Sequence, residues 1–218
     1  MNVVMKLAGR VVAFLALVAC TEMQGQGDAP DLSGAVKPSS PDYLQIVSVA
    51  PDLVEVDSAG TVVRAAPPEG LCIPVDSIQT GPDAVFLIMS ACSGATAKEP
   101  GGVLSVSISR MGMEGGLPAL KRFFETPEGL AGLGYGGGAA TVSMVETVTG
   151  PRALYTAVED KSAAGPAFAD ELISRAFTEI RGRMTVITLI SRRGEAQEAD
   201  AMRAELTRVV AALHDGNA

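Results

Sequence analysis

The chain has 218 residues, with 25 acidic and 17 basic side chains, so its formal net charge at pH 7 is −8. A net acidic chain whose Lys and Arg residues are scattered has no general electrostatic attraction to nucleic acid, which argues against a nucleic-acid partner. The chain is long enough for one domain with a packed core, or for two small domains that share it. Beyond the N-terminus, no apolar run approaches the roughly 20 residues that a membrane helix needs.

The N-terminus has the pattern of a secretory signal. Lys6 and Arg10 precede an unbroken apolar stretch over 11–18, which is too short to cross a bilayer as a helix. We expect the signal to cover residues 1–19. Its removal would leave 15 basic and 25 acidic residues, a formal charge of −10.

The end of this signal, Leu17-Val18-Ala19-Cys20, resembles a bacterial lipobox. The resemblance implies a diacylglyceryl group on the Cys20 sulfur, cleavage before Cys20, and a further acyl chain on the new amino terminus. Two or more acyl chains give stable membrane attachment, whereas one is marginal. We therefore expect an envelope protein that faces the periplasm. Thr21, which is not aspartate, slightly favours the outer over the inner membrane. The alternative is an ordinary signal with a coincidental cysteine.

The composition of the remaining chain changes near residue 42, which divides it into two segments. Residues 20–42 comprise the lipidated cysteine and a segment rich in Gly, Pro, Ser and Asp, which we interpret as a flexible tether. Residues 43–214 are expected to form a single α+β domain. Its sheet is predicted to be mainly antiparallel, with an N-terminal β part over about 43–100 and a second part over about 101–214.

Short apolar runs separated by turn residues dominate the first part of the domain. The predicted strands are Leu44–Val49, Leu53–Val56, Thr61–Ala65, Leu71–Val75, Ala84–Ala91 and Val103–Ser109. In the last of them, apolar residues alternate with Ser105, Ser107 and Ser109, which indicates a half-buried strand with its serines on a solvent face.

Cys72 and Cys92 are expected to form a disulfide, because an even pair in an oxidising compartment favours one. Neighbouring antiparallel strands would bring the two side chains together. Closure of a loop of about 20 residues is worth roughly 3 kcal/mol. Two free buried thiols are the alternative, and the spacing excludes a metal site or a CxxC redox pair.

The second part alternates helix and strand. A helical pattern covers 117–133 and should break near Thr126-Pro127, which resembles an N-cap followed by proline. Strands are predicted over 141–149 and 152–159. Over 168–180 a helix and a hairpin both fit, and we favour one helical turn followed by strands at about 175–180 and 183–191. An amphipathic helix of about 18 residues, laid on the sheet, closes the chain.

No residue pattern predicts catalysis, a cofactor or a metal site. Gly132 to Gly137 fits GxGxxG, but the helix precedes these glycines, so a flexible loop, in which the Tyr135 ring could be exposed, is expected rather than a phosphate site. His214 lies at a helix C-terminus, where a cation suits the dipole. Turn-like surroundings favour a solvated position over a paired-carboxylate site for Glu159-Asp160 and Asp170-Glu171. Ordinary surface positions are likewise favoured over an anion site for Arg181, Arg183, Arg192 and Arg193. Aliphatic neighbours indicate core positions for Phe123, Phe124, Phe168 and Phe177.

The segment Pro68-Glu69-Gly70-Leu71-Cys72, followed by the apolar run that ends at Cys92, resembles a pattern in uncharacterised alphaproteobacterial lipoproteins. From Val103 onward, the order of elements is similar to PsbP-like α/β/α domains. These resemblances imply a fold and a cellular location, but no activity. We expect a non-catalytic binding or accessory module that docks to an envelope protein. The alternatives are a structural or assembly component of the envelope and, less favoured, a carboxylate-dependent periplasmic enzyme.

Overall fold

The fold is known from a computed structural model, which describes residues 44–93, 102–136, 138–163, 165–167, 169–195 and 197–218. All of them belong to one compact unit, Ser39–Ala218. Several predicted features lie outside the described residues. They are the signal over 1–19, the tether over 20–42 that begins at Cys20, and the single residues Gly137 and Phe168. Within these residues, no helix has the length and apolar character needed to cross a membrane.

The chain forms an α+β fold of mainly antiparallel sheets, as predicted. The small sheet has the order β1-β2-β3 and consists of β1 (Leu44–Ala50), β2 (Leu53–Ser58) and β3 (Thr61–Ala65). The large sheet consists of β4 (Leu71–Cys72), β5 (Gln79–Thr80), β6 (Ala84–Ala91), β7 (Gly102–Ser109), β8 (Val142–Thr149), β9 (Ala153–Asp160), β10 (Ala169–Ile180) and β11 (Arg183–Arg192). Its order is β4-β6-β7-β11-β10-β9-β8, and β5 pairs with β6.

The helices are α1 (Gly116–Phe124), α2 (Pro127–Ala131) and α3 (Ala199–Asp215). The sequence predicted α3 closely because its apolar residues recur at helical spacing. Met202, Leu206, Val209 and Leu213 are all buried. They pack with the small sheet against one face of the large sheet, where the inward residues of β6 and β7 complete the core.

Among the described residues, α1 and α2 cover part of the opposite face of the large sheet. A second core joins α1 and α2 to β8, β9 and β10, and the rings of Phe124 and Phe177 have centroids 4.8 Å apart. The main contacts of these two helices with the sheet fall on β8 and β9. On β6 and β7, the side chains of this face are half-buried: Phe86, Ile88, Val103, Ser105 and Ser107. The serine face that the sequence predicted is thus a half-buried surface.

The largest differences between the predicted and the observed strand boundaries fall at two places. The strand predicted over 71–75 ends at Cys72, and Val75–Ser77 forms a 3-10 turn that follows Pro74, whose ring lacks the N–H a strand needs. The helical turn predicted before residue 175 is wrong for the described residues, because β10 begins at Ala169. Ala169 pairs with β11 across an irregularity in the register, and from Ile173 onward the segment pairs with both β9 and β11, which favours a strand.

The predicted break between α1 and α2 is confirmed, and it depends on two residues. The Thr126 hydroxyl accepts a hydrogen bond from the Gly129 N–H at 3.1 Å, which caps α2. Gly129 is buried against the end of α1, where a Cβ would lie 1.9 Å from the Phe123 carbonyl oxygen.

Gly129→Ala is therefore expected to destabilise the protein by about 3 kcal/mol, because backbone at the contact must move. Gly132→Ala is the matched control. Gly132 has helical dihedrals, and its added Cβ would meet its nearest neighbour at 3.4 Å, so the free energy of unfolding should stay within about 0.5 kcal/mol. Urea unfolding of both variants measures the difference; equal effects would contradict the packing argument.

Polar side chains attach the small sheet to the rest of the fold. Arg183 donates hydrogen bonds to the carbonyl oxygens of Ser58 and Arg110, at 2.8 Å and 2.9 Å. The Asn217 side chain accepts from the N–H of Arg64 and donates to its carbonyl, so that it mimics a neighbouring strand at the edge of β3. The structure therefore uses Arg183 to hold the two sheets together.

Candidate functional site

A buried carboxylate organises the loop after α2. Asp160 is 2% exposed, and its oxygens accept hydrogen bonds from the N–H groups of Tyr135 and Ser162, at 2.5 Å and 2.8 Å. Gly134 is required there, since a Cβ would lie 2.7 Å from Asp160 Oδ2 and 2.5 Å from Val142 Cγ2. The glycines therefore let the backbone approach the carboxylate.

The ionised form of Asp160 is favoured despite its burial. Desolvation by itself raises the pKa of this carboxyl, but the hydrogen bonds that it accepts, chiefly from the backbone of Tyr135 and Ser162, together outweigh it and hold the pKa below its ordinary value. A catalytic general acid needs the opposite shift. Asp160 is thus suited to positioning the loop that contains Tyr135.

Tyr135 lies over this carboxylate with its hydroxyl buried. Gly165 packs on the ring, where a Cβ would come within 2.9 Å of two ring carbons. The Tyr135 side chain is half-buried rather than exposed, because Gly165 packs on its ring. Burial raises the pKa of Tyr135 to about 12. Among the described residues, its hydroxyl has no hydrogen-bond partner, which makes it an unsatisfied donor inside the fold.

Arg175 lies beside Tyr135 in the centre of the large sheet. On β10 it shares a face with Ile173 and Phe177 of the second core, and its Nη1 donates to the Leu133 carbonyl oxygen. Burial lowers the pKa of the Arg175 guanidinium, while Tyr135 and Asp160 oppose the shift. The group stays protonated at physiological pH. Sequence reasoning missed this residue. The available signal was a charge between two apolar residues on one face of a strand.

Two cavities share Arg193 in their linings, and one of them is lined by Tyr135 and Asp160. The first has a volume of about 240 Å³ and is lined by Tyr135, Asp160, Asp170, Glu171 and Arg193, among others. The second, of about 380 Å³, is lined by Val103, Arg192, Arg193 and Glu195. The two acidic pairs, which the sequence left unrelated, thus contribute three carboxylates to one cavity. Among the described residues, no group of three or more His, Cys, Asp and Glu side chains has an arrangement suited to a metal ion.

Glu159, the remaining residue of the two acidic pairs, does not line this cavity. Glu159 alternates with Asp160 on β9 and forms an exposed ion pair with Lys161 at 3.6 Å. The cavity therefore combines one ionised carboxylate that is already hydrogen-bonded with two acidic side chains at its rim.

The four arginines proposed as an anion site do not meet. Arg181 and Arg183 lie at the start of β11, and Arg183 holds backbone carbonyls, whereas Arg192 and Arg193 lie at the far end of this ten-residue strand. At about 3.3 Å per residue, the pairs are roughly 30 Å apart. Arg192 and Arg193 alone adjoin the cavities.

His214 is a structural residue of α3. Its Nε2 lies 2.9 Å from the Thr178 hydroxyl, which donates to the Arg152 carbonyl oxygen and so accepts from the imidazole. Burial lowers the pKa of His214, and Arg152 lowers it further, while Asp215 opposes them. This helix terminus therefore favours a neutral ring over the cation that the sequence suggested.

The two cysteines of the domain lie at disulfide distance, as predicted. The sulfur atoms of Cys72 and Cys92 are 2.01 Å apart. Cys72 pairs with Ser90 in the ladder of β4 and β6, and Cys92 follows that ladder directly. The bond therefore ties the short edge strand β4 to the large sheet.

Comparison of the chain with protein families, with curated proteins and with solved structures finds no match. The site is therefore interpreted from its own geometry.

Proposed function

We propose that this protein is a bacterial envelope lipoprotein, anchored through lipid on Cys20, whose α+β domain is a non-catalytic binding or accessory module. The observation on which the proposal depends is the tetrapeptide Leu17-Val18-Ala19-Cys20 after a short apolar run. The polar segment that follows supports it, since such a segment suits a tether between lipid and domain.

The chemistry of the site supports binding over catalysis. Asp160, the one carboxylate with a perturbed pKa among the residues that the structure describes, is ionised and bonded to backbone N–H groups. Arg175 and the Tyr135 hydroxyl are instead hydrogen-bond donors, which hold a ligand without transferring a proton at neutral pH. The cysteine pair at disulfide distance agrees with an oxidising compartment such as the periplasm.

Metabolic labelling with a palmitate analogue tests the anchor. The full chain should incorporate label and fractionate with membranes, and Cys20→Ser should lose both. Thr21→Ser is the matched control, since it changes the next residue and keeps the cysteine. Label retained in Cys20→Ser would contradict the lipid anchor.

Cross-linking in living cells tests the accessory role. A discrete partner that co-purifies with the wild-type chain and not with Cys20→Ser is the expected result. Recovery of only the chain itself would instead favour a structural or assembly role in the envelope.

A further inference from the structure

An apolar groove lies beside α1 at one end of the large sheet. It has a volume of about 300 Å³, and its lining includes Met113, Leu120, Phe123 and Met184. Phe123 is 49% exposed, and Met111, whose carbonyl oxygen accepts a hydrogen bond from the Met184 N–H, is 67% exposed. Exposed methionine and aromatic side chains around a groove are typical of an interaction surface.

Exposed cations without carboxylate partners adjoin this groove. Arg122 precedes Phe123 on α1. Arg181 lies in the turn between β10 and β11, where the next residue, Gly182, packs so closely on Gly112 of the groove that a Cβ there would lie 2.8 Å from its carbonyl oxygen. Within the described part of the chain, neither arginine forms an ion pair. Four other exposed arginines do form ion pairs with carboxylates: Arg64, Arg110, Arg152 and Arg208.

Acidic side chains balance only part of this charge. Glu114 lines the groove. Glu179 accepts a hydrogen bond from the Met113 N–H at 3.0 Å, so its carboxylate is already engaged by the backbone. The two arginines are therefore available to an anionic partner, although the chain as a whole is net acidic.

The N-terminal segment enters the domain at the same end. Leu44 begins β1 and pairs with Ser58. The Ser58 carbonyl oxygen accepts a hydrogen bond from Arg183 at 2.8 Å, and the N–H of the following residue, Met184, donates to the Met111 carbonyl oxygen at 2.8 Å. A path of direct contacts therefore joins the entry point of the domain to the groove.

We infer that the groove, together with Met111, Arg122 and Arg181, is a docking surface for an anionic phospholipid bilayer. The inference rests on the proposed function, because a lipid anchor on Cys20 puts the bilayer on the side of the domain where the chain enters. Met111 and Phe123 enter the boundary between head groups and acyl chains, and the two arginines contact lipid phosphates. The unpaired cations and the nearby entry point favour lipid over a protein partner.

Tryptophan fluorescence tests the inference, because the chain contains no tryptophan. Phe123→Trp places one reporter at the groove, and Val145→Trp is the matched control on β8, at a position that is also 49% exposed. Each full chain, lipidated on Cys20, is reconstituted in vesicles of phosphatidylethanolamine and phosphatidylglycerol, part of which has brominated acyl chains. Bromine quenches only a tryptophan that enters the bilayer, so we expect about twofold quenching or more for Phe123→Trp and little for Val145→Trp.

Two further substitutions, each made in the Phe123→Trp background, test the surface around the reporter. Met111→Asp should abolish most of the quenching, because it puts a charge where an apolar side chain enters the lipid. Arg181→Glu should reduce the quenching in vesicles that contain phosphatidylglycerol, whereas Arg193→Glu, at the far end of β11, should leave it unchanged. All three positions are exposed, so the unfolding midpoints should stay close to that of the Phe123→Trp chain.

Equal quenching at positions 123 and 145 would overturn the inference. A blue-shifted emission at position 123 without quenching by brominated lipid would also overturn it, and would indicate a second copy or another protein in the groove. Vesicle flotation distinguishes this failure from failure of the proposed function. A chain that floats without quenching at position 123 has the anchor and lacks the docking, whereas a chain that does not float contradicts both.

Discussion

Replacement of both domain cysteines by serine should lower the free energy of unfolding by about 3 kcal/mol, because the bond between Cys72 and Cys92 closes a loop with a sequence separation of 20. For a domain of this size, each kcal/mol shifts the unfolding midpoint by about 2–4 °C, so a fall of roughly 6–12 °C is expected. Scanning calorimetry under non-reducing conditions measures it.

Reductant provides the control for this prediction. Dithiothreitol should lower the midpoint of the wild-type chain toward that of Cys72→Ser/Cys92→Ser and leave the double variant unchanged. Cys20→Ser, which retains both domain cysteines, should unfold like the wild type. A double variant with the wild-type midpoint would show that β4 stays on the sheet edge through its ladder with β6 alone.

Asp160→Asn is expected to cost about 2–4 kcal/mol at pH 7, because hydrogen bonds to a buried carboxylate are worth more than those to a neutral amide. The variant keeps one acceptor oxygen, whereas the carboxylate serves both Tyr135 and Ser162. Denaturant unfolding of the two proteins gives the difference. Glu159→Gln is the matched control, since that exposed neighbour should change stability by less than about 1 kcal/mol.

The cost of Asp160→Asn should depend on pH. The pKa of Asp160 is lower in the folded state than in the unfolded state, so its stabilisation is complete above the ordinary value of about 3.9. It is lost as the pH falls through the folded-state pKa. The difference between wild type and variant should therefore be constant from pH 7 to about 5 and shrink below about 4. A difference that persists at pH 2 would show that packing, and not charge, causes it.

Local patterns predicted most of the secondary structure. The strict alternation of β7, the helical spacing of α3 and the Thr126-Pro127 start of α2 each express a preference contained within a few residues. Such local preferences do not predict the secondary structure correctly where contacts with residues distant in the sequence determine it. Residues near the start of β10 are compatible with a helical turn, but the strand continues back from Ile173, where ladders with β9 and β11 flank it on both sides.

The candidate site could not be read from the sequence because its parts are far apart in the chain. Tyr135, Asp160 and Arg175 come from a loop and two strands, and 25 residues separate Tyr135 from the carboxylate that holds its N–H. Arg175 has the spacing of a core position along β10. Only the structure shows which groups surround its charge, namely Tyr135 and Asp160. Likewise, the arginines at the two ends of β11 are near in sequence and distant in space.

The sequence by itself determined the strand and helix periods, the pairing of Cys72 with Cys92 and the mainly antiparallel α+β class, since each follows from local spacing and composition. Tertiary structure alone decided which strands adjoin, and hence that Arg175, Thr188 and Ser105 form one row on a partly covered face. The physical reason is that strand order and burial depend on contacts among elements distant along the chain, which no local periodicity encodes.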